Sequence, residues 1–249
     1  MSALGQAFVF IGNHGHLLLA KSGQMLVFCL EAMIISLLIA VPLGIFLGHL
    51  HRFSFLAINV SNIGRALPSL AVLAILLGLG PVLPSGLAHF LTEQRQVVIT
   101  LVILAVPPIL TNTYVAVDQV EPDVVEAAKG MGLRPVQVAL GAELPLALPV
   151  MFAGIRTAAV FIVASAPLAG LFGGGGLGDI IANEASYHLD GVVGASYVAI
   201  ALAFAAQGVF LLVERTMTPA GLKAKRASSL RASVADELAT ATDPIQGRF

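Results

Sequence analysis

Apolar runs long enough to cross a bilayer recur through this chain, and they constrain its fold more than any other feature. One helical span takes about 20 apolar residues. Five such stretches stand out, at about 25–48, 55–80, 96–114, 144–172 and 192–213. Between them they hold only three charged residues, Glu31, Arg65 and Arg156. Charged residues are 11% of the 249-residue chain, against roughly 25% in soluble domains. The mean hydropathy of +0.93 agrees. Lipid offers no water to an unpaired backbone group, so helices are the expected spanning element. The expected fold class is therefore all-α integral membrane, with five or six transmembrane helices. Residues 1–20 are the sixth candidate. Gly12, Asn13, His14, Gly15 and His16 interrupt them, and they read as a short interfacial or re-entrant helix. No basic stretch precedes an apolar core there, so a cleaved signal peptide is not expected.

Polar residues mark where the chain leaves the bilayer. His49, His51 and Arg52 follow the first span, Pro68 interrupts the second, and the third is expected to end near the Pro107-Pro108 pair. A single cysteine, Cys29, rules out a disulfide within the chain. The six histidines show no H-E-x-x-H spacing, so no metal is assigned. No Ser-His-Asp pattern or catalytic carboxylate pair can be argued, and no catalytic residue is expected.

Basic residues fix the orientation. With five spans, the 49–54 loop, the 115–143 segment and the C-terminal tail share one side. Nine of the 13 lysines and arginines lie there, and only Lys21 and Arg95 lie on the other. The 115–143 segment and the C-terminus are thus expected in the cytoplasm. Residues 1–213 read as one transmembrane domain and 214–249 as a largely disordered tail. The tail's Lys223, Lys225, Arg226 and Arg231 suit anionic lipid, and nucleic acid is not an expected partner.

The polar segment has helix signals of its own. Val124, Val125, Ala128 and Met131 recur at helical spacing, Pro122 suits a first turn, and Gly130 and Gly132 are stop signals. A second short helix is expected after Arg134, from Pro135 to about Leu140. A solvated loop would explain the charges, but not the Ala127-Ala128 pair or the two glycines at a helix end.

The sequence Glu126-Ala127-Ala128, three residues, Gly132, then nine residues to Ala142-Glu143-Leu144-Pro145 resembles the EAA loop of ABC importer permeases. Ala142 departs from the isoleucine usual there. Three further stretches are similar to the glycine betaine/carnitine/choline group of these permeases. They are Asn62 to Leu70, Asn112-Thr113-Tyr114, and Gly154-Ile155-Arg156-Thr157-Ala158 with Gly174 to Asp179. The resemblance covers about residues 25–213.

The resemblance implies a type I ABC importer permease fold in a bacterial plasma membrane. It implies a transport subunit rather than an enzyme. Glu126, Ala127, Ala128, Gly132, Leu144 and Pro145 would dock onto an ABC ATPase pair, which is a separate chain that binds ATP and Mg. A second permease subunit, identical or related, and an extracytoplasmic substrate-binding protein complete the expected assembly. The expected cargo is a compatible solute such as glycine betaine, choline, carnitine or proline. Asn62, Arg65, Asn112 and Arg156 are candidates either for the translocation path or for structural polar contacts. Another small solute is the alternative within the class. A secondary transporter driven by an ion gradient is the alternative outside it, but no internal repeat of the kind common there is evident.

The Gly173–Gly176 run lacks the Lys-Ser or Lys-Thr of a phosphate loop, and reads as a turn or a close helix approach. Tyr114, Tyr187 and Tyr197 are too scattered to argue for an aromatic cage.

Overall fold

A computed structural model describes residues 3–50, 59, 68–79 and 92–217 of the chain. All elements among these residues are helical: α1 (Ala3–Asn13), α2 (Gly15–Leu50), α3 (Ser69–Leu79), α4 (Glu93–Asp118), α5 (Pro122–Gly130), α6 (Pro135–Val138), α7 (Leu144–Ser165), α8 (Gly178–Ala182) and α9 (Glu184–Met217). A π-helical turn, Ala139–Glu143, joins α6 to α7, and a 3-10 segment, Ala166–Phe172, follows α7. Among the described residues, four helical stretches are long and apolar enough to cross a membrane: Gly15–Leu50, Gln94–Asp118, Pro135–Leu171 and Glu184–Glu214. Most of the expected second span, with Asn62 and Arg65, lies outside the described residues.

The bundle is built around α4, which packs between α2 and α7. Helix α9 lies on α7, and α1 lies on α9. Residues 1–20 thus hold α1, too short at 11 residues to span a bilayer, and the start of α2.

Small residues explain the closeness of α2 and α4. Ala32, Ser36, Ala40, Gly44 and Gly48 recur every four residues along α2, and all are buried. A Cβ at Gly44 would lie 2.6 Å from the Thr113 Cβ, and one at Gly48 2.7 Å from the Val117 Cβ. Between membrane helices, close packing supplies the attraction that the hydrophobic effect supplies in water.

Helix α2 begins ten residues before the apolar run that defines the expected first span. Its polar early turns have partners. Lys21 pairs with Asp179 of α8, and the Gln24 Oε1 accepts the Gly176 N–H at 3.0 Å. Gly173, Gly175 and Gly176 all have positive φ, and a Cβ at Gly174 would lie 2.8 Å from the Val97 side chain. The glycine run is a tight turn packed against α2 and α4.

Helix α9 also starts early. It is broken at His188, where φ is 54°, and the uncharged 192–213 run follows the break.

Candidate functional site: the α5–α6 segment

The order of residues from Glu121 to Pro145 builds a two-helix unit. Glu121 caps α5 with Pro122 at its first turn, Asp123 near its N-terminus and Lys129 near its C-terminus. Both charges complement the helix dipole. The helix closes in a Schellman turn. The Gly132 N–H donates to the Lys129 carbonyl at 2.9 Å, and the Leu133 N–H reaches back to the Ala128 carbonyl at 3.3 Å. This pattern places the residue after the cap in the left-handed region. That residue is Gly132, at φ +82°. The spacing from Ala128 to Gly132 is therefore the spacing of this turn.

Arg134 is extended, as a residue before proline tends to be. Its N–H donates to the Gln137 Oε1 at 2.8 Å, which starts α6 at Pro135. The chain then does not break before α7, as the sequence suggests it should. It continues through the π turn, in which the Leu144 N–H bonds to the Ala139 carbonyl. Pro145 has no N–H to offer the Gly141 carbonyl, and its ring would crowd that carbonyl in a regular α-helix. A wider turn relieves both.

The unit has its own small core. Val120, Val125, Ala128 and Val138 are buried together, with Leu133 and Ala142 against them. Ala128 is 3% exposed, whereas its neighbours Glu126 and Ala127 are exposed. The motif thus divides by role: Ala128 packs α5 onto α6, and Glu126 and Ala127 face outward. A shallow concavity runs between Val124, Ala127 and Met131 on one side and Gln137 and Gly141 on the other. Met131, Val136 and Leu140 are 76%, 67% and 53% exposed. Leu144 packs with the separate buried group of Ala116, Val117, Ala147 and Met151, and Pro145 is exposed.

Glu143 stands out within this unit. It is 1% exposed, and both of its carboxylate oxygens lie 2.9 Å from the His49 Nδ1 at the end of α2. Sequence reasoning missed this pair. It took His49 as a mark of bilayer exit and Glu143 as part of a motif, and nothing in their spacing links them.

The two candidate polar residues in the described bundle have separate places. The Asn112 Nδ2 donates to the Pro108 carbonyl at 2.8 Å, and its Cβ fills the space that a Cβ at Gly154 would need. Two residues on, Arg156 points to the other side of α7 and pairs with Glu214 of α9 at 2.9 Å. Asn112 therefore belongs to the α4–α7 seam and Arg156 to the α7–α9 seam.

The Arg156–Glu214 pair is about three-quarters buried or more on both sides. Removing one partner leaves an uncompensated charge, whereas removing both does not. Arg156→Leu should lower stability by about 2 kcal/mol. Arg156→Leu with Glu214→Leu should recover most of that loss. Thermal unfolding in detergent of the two variants and the parent checks this.

Residues 40–217 match the model of a family described as binding-protein-dependent transport system inner membrane components. The chain is 36% identical over 218 residues to the choline transport system permease protein OpuBB of Bacillus subtilis, covering 86% of this chain and 94% of that protein. It is 34% identical over 224 residues to the glycine betaine/carnitine/choline transport system permease protein OpuCB of the same organism, covering 88% and 97%. A chain of the MetNI methionine ABC transporter, in an inward-facing conformation, shares the fold with a TM-score of 0.71 at 20% identity. The match covers 83% of this chain and 99% of that one.

Proposed function

Since the chain belongs to the binding-protein-dependent transport system inner membrane components, the permease subunits of ABC importers, we propose that it carries a compatible solute across the bacterial plasma membrane. The solute is of the glycine betaine, choline, carnitine or proline type. The curated relatives named for choline, carnitine and glycine betaine support this choice. ATP and Mg are bound by a separate ATPase pair. A second permease subunit completes the path, and a soluble binding protein delivers the solute from outside.

The observation that carries this reading is the α5–α6 unit. It folds on its own small core, yet leaves Met131, Val136 and Leu140 exposed beside Glu126 and Ala127. Exposed apolar side chains rimmed by polar residues suit a protein-docking surface. The excess of lysine and arginine in the loops on its side supports a cytoplasmic position, where an ATPase would meet it. Docking there lets closure of the ATPase pair push the unit and switch the bundle between inward- and outward-facing packings.

The test is co-purification. Tagged chain, expressed with its cognate ATPase, should retain that subunit through affinity and size-exclusion steps. Glu126→Arg reverses a charge at an exposed position on the outward face. It should cut the recovered ATPase about tenfold, a difference of about 1.4 kcal/mol, while the chain itself stays monodisperse. Undiminished recovery would remove the α5–α6 surface from the interface.

A further inference from the structure

We infer that His49 and Glu143 are positioning residues that pass the movement of the α5–α6 unit to α2. This inference rests on the proposed docking of an ATPase at that unit.

The argument starts from what the unit can push. Its small core makes α5 and α6 move together. The unit is continuous in sequence with α4, through Gln119 and Val120, and with α7, through the π turn. It is not continuous with α2. Among the described residues, α2 meets the unit through side-chain contact. Apolar contacts can slide, because they have no preferred direction. A hydrogen bond to a carboxylate is directional.

Glu143 has the features of such a link. It is the last residue of the π turn, and such turns are frequent at functional sites. Its carboxylate is buried, where it gains nothing from solvent, and it accepts the His49 Nδ1–H through both oxygens. His49 sits in the last turn of α2. One residue earlier, Gly48 brings that same turn against Val117 of α4, with a Tyr114 carbonyl 3.0 Å from where a Cβ would be. The end of α2 is thus held by α4 on one side and by the π turn on the other. A shift of the unit relative to α4 pulls on His49.

A merely structural staple would also be buried and bonded, so the test separates stability from coupling. The full complex of permease, ATPase and binding protein is placed in liposomes. Glycine betaine uptake and ATP hydrolysis are measured together, with choline, carnitine and proline as further probes. His49→Leu with Glu143→Leu removes both polar partners and leaves no buried charge. We expect this variant to assemble and melt like the parent, while solute moved per ATP falls about fivefold or more, the scale of a typical coupling free energy. His49→Gln keeps a donor for the carboxylate and should retain near-parental coupling. Parental coupling in the double variant overturns the inference.

If the double variant does not assemble, the comparison of His49→Gln with His49→Leu decides the matter. Coupling kept in the first and lost in the second supports the link, and equal ratios overturn it. Absence of ATP-driven uptake by the parent complex would instead strike the proposed function, so the two failures are distinct.

Discussion

Replacing Gly170 with alanine should remove the folded protein from detergent extracts. Gly170 lies in the 3-10 segment after α7, where it meets the start of α8. A Cβ there would lie 1.8 Å from the Gly178 carbonyl carbon and 2.1 Å from its oxygen. The crowding is mutual, since a Cβ at Gly178 would lie 2.1 Å from the Pro167 carbonyl oxygen. Inserting a methyl group into a packed core costs about 1–3 kcal/mol when side chains can yield. Here the opposing atoms are backbone and cannot rotate away, so a cost of about 3 kcal/mol or more is expected. That is a large share of the 5–15 kcal/mol by which proteins are stable. Gly12→Ala is the control. It meets nothing within 4 Å and lies in α1, where alanine is the better helix former. Fluorescence-detected size exclusion should show a normal peak for Gly12→Ala and a lost or aggregated one for Gly170→Ala. A normal peak for Gly170→Ala would contradict this account of the α7–α8 connection.

Substitutions at Gly132 should act differently, on transport with little effect on the bundle. A Cβ at Gly132 meets nothing within 4 Å, so the cost is backbone strain alone. An ordinary residue in the left-handed region costs about 1–2 kcal/mol, and asparagine less. The Schellman turn sets the angle between α5 and α6, so strain there displaces Met131 and Val136 relative to Glu126 and Ala127. ATPase recovery and ATP-driven uptake should fall in the order Gly, Asn, Ala, Val. Alanine should lose about tenfold, from about 1.4 kcal/mol, and valine more. Melting of the membrane bundle should change little across the series. Equal activity of Gly132→Asn and Gly132→Val would show that the turn geometry does not matter for docking.

Much of this structure is legible in the residues because local chemistry decides it. Pro122, Lys129 and Gly132 each demand a place in a short helix, and together they bound α5. The long apolar runs name the spanning helices for the same reason: composition alone excludes water around them. The helix ends are another matter. Helix α2 runs back to Gly15 because Lys21 and Gln24 find partners more than 150 residues away, in Asp179 and Gly176. Helix α9 runs past the apolar stretch to Met217, carrying Glu214 to Arg156. Periodicity cannot report a partner that distant.

The candidate site divides in the same way. The spacing from Glu126 to Gly132 is a local rule and reads directly as a turn. Arg156 is recognisable as a costly charge in an apolar run that must find a partner, but the sequence does not say which one. The joining of α6 to α7 is hidden because the short helix is expected to end near Leu140 and the span to begin near Leu144, whereas the π turn carries one into the other. The His49–Glu143 pair is hidden most deeply. Each residue has an adequate local explanation, and tertiary packing sets the end of α2 beside the π turn.

The central claim is that this chain moves solute only as part of an ATP-driven assembly. The most direct measurement is uptake of labelled glycine betaine, choline, carnitine and proline into liposomes. One set holds the chain with its second permease subunit and its ATPase and is supplied with the binding protein, and the other holds the chain alone. ATP on the ATPase side should drive uptake in the first set, and an ion gradient without ATP should drive none in the second. Gradient-driven uptake by the isolated chain would contradict the claim.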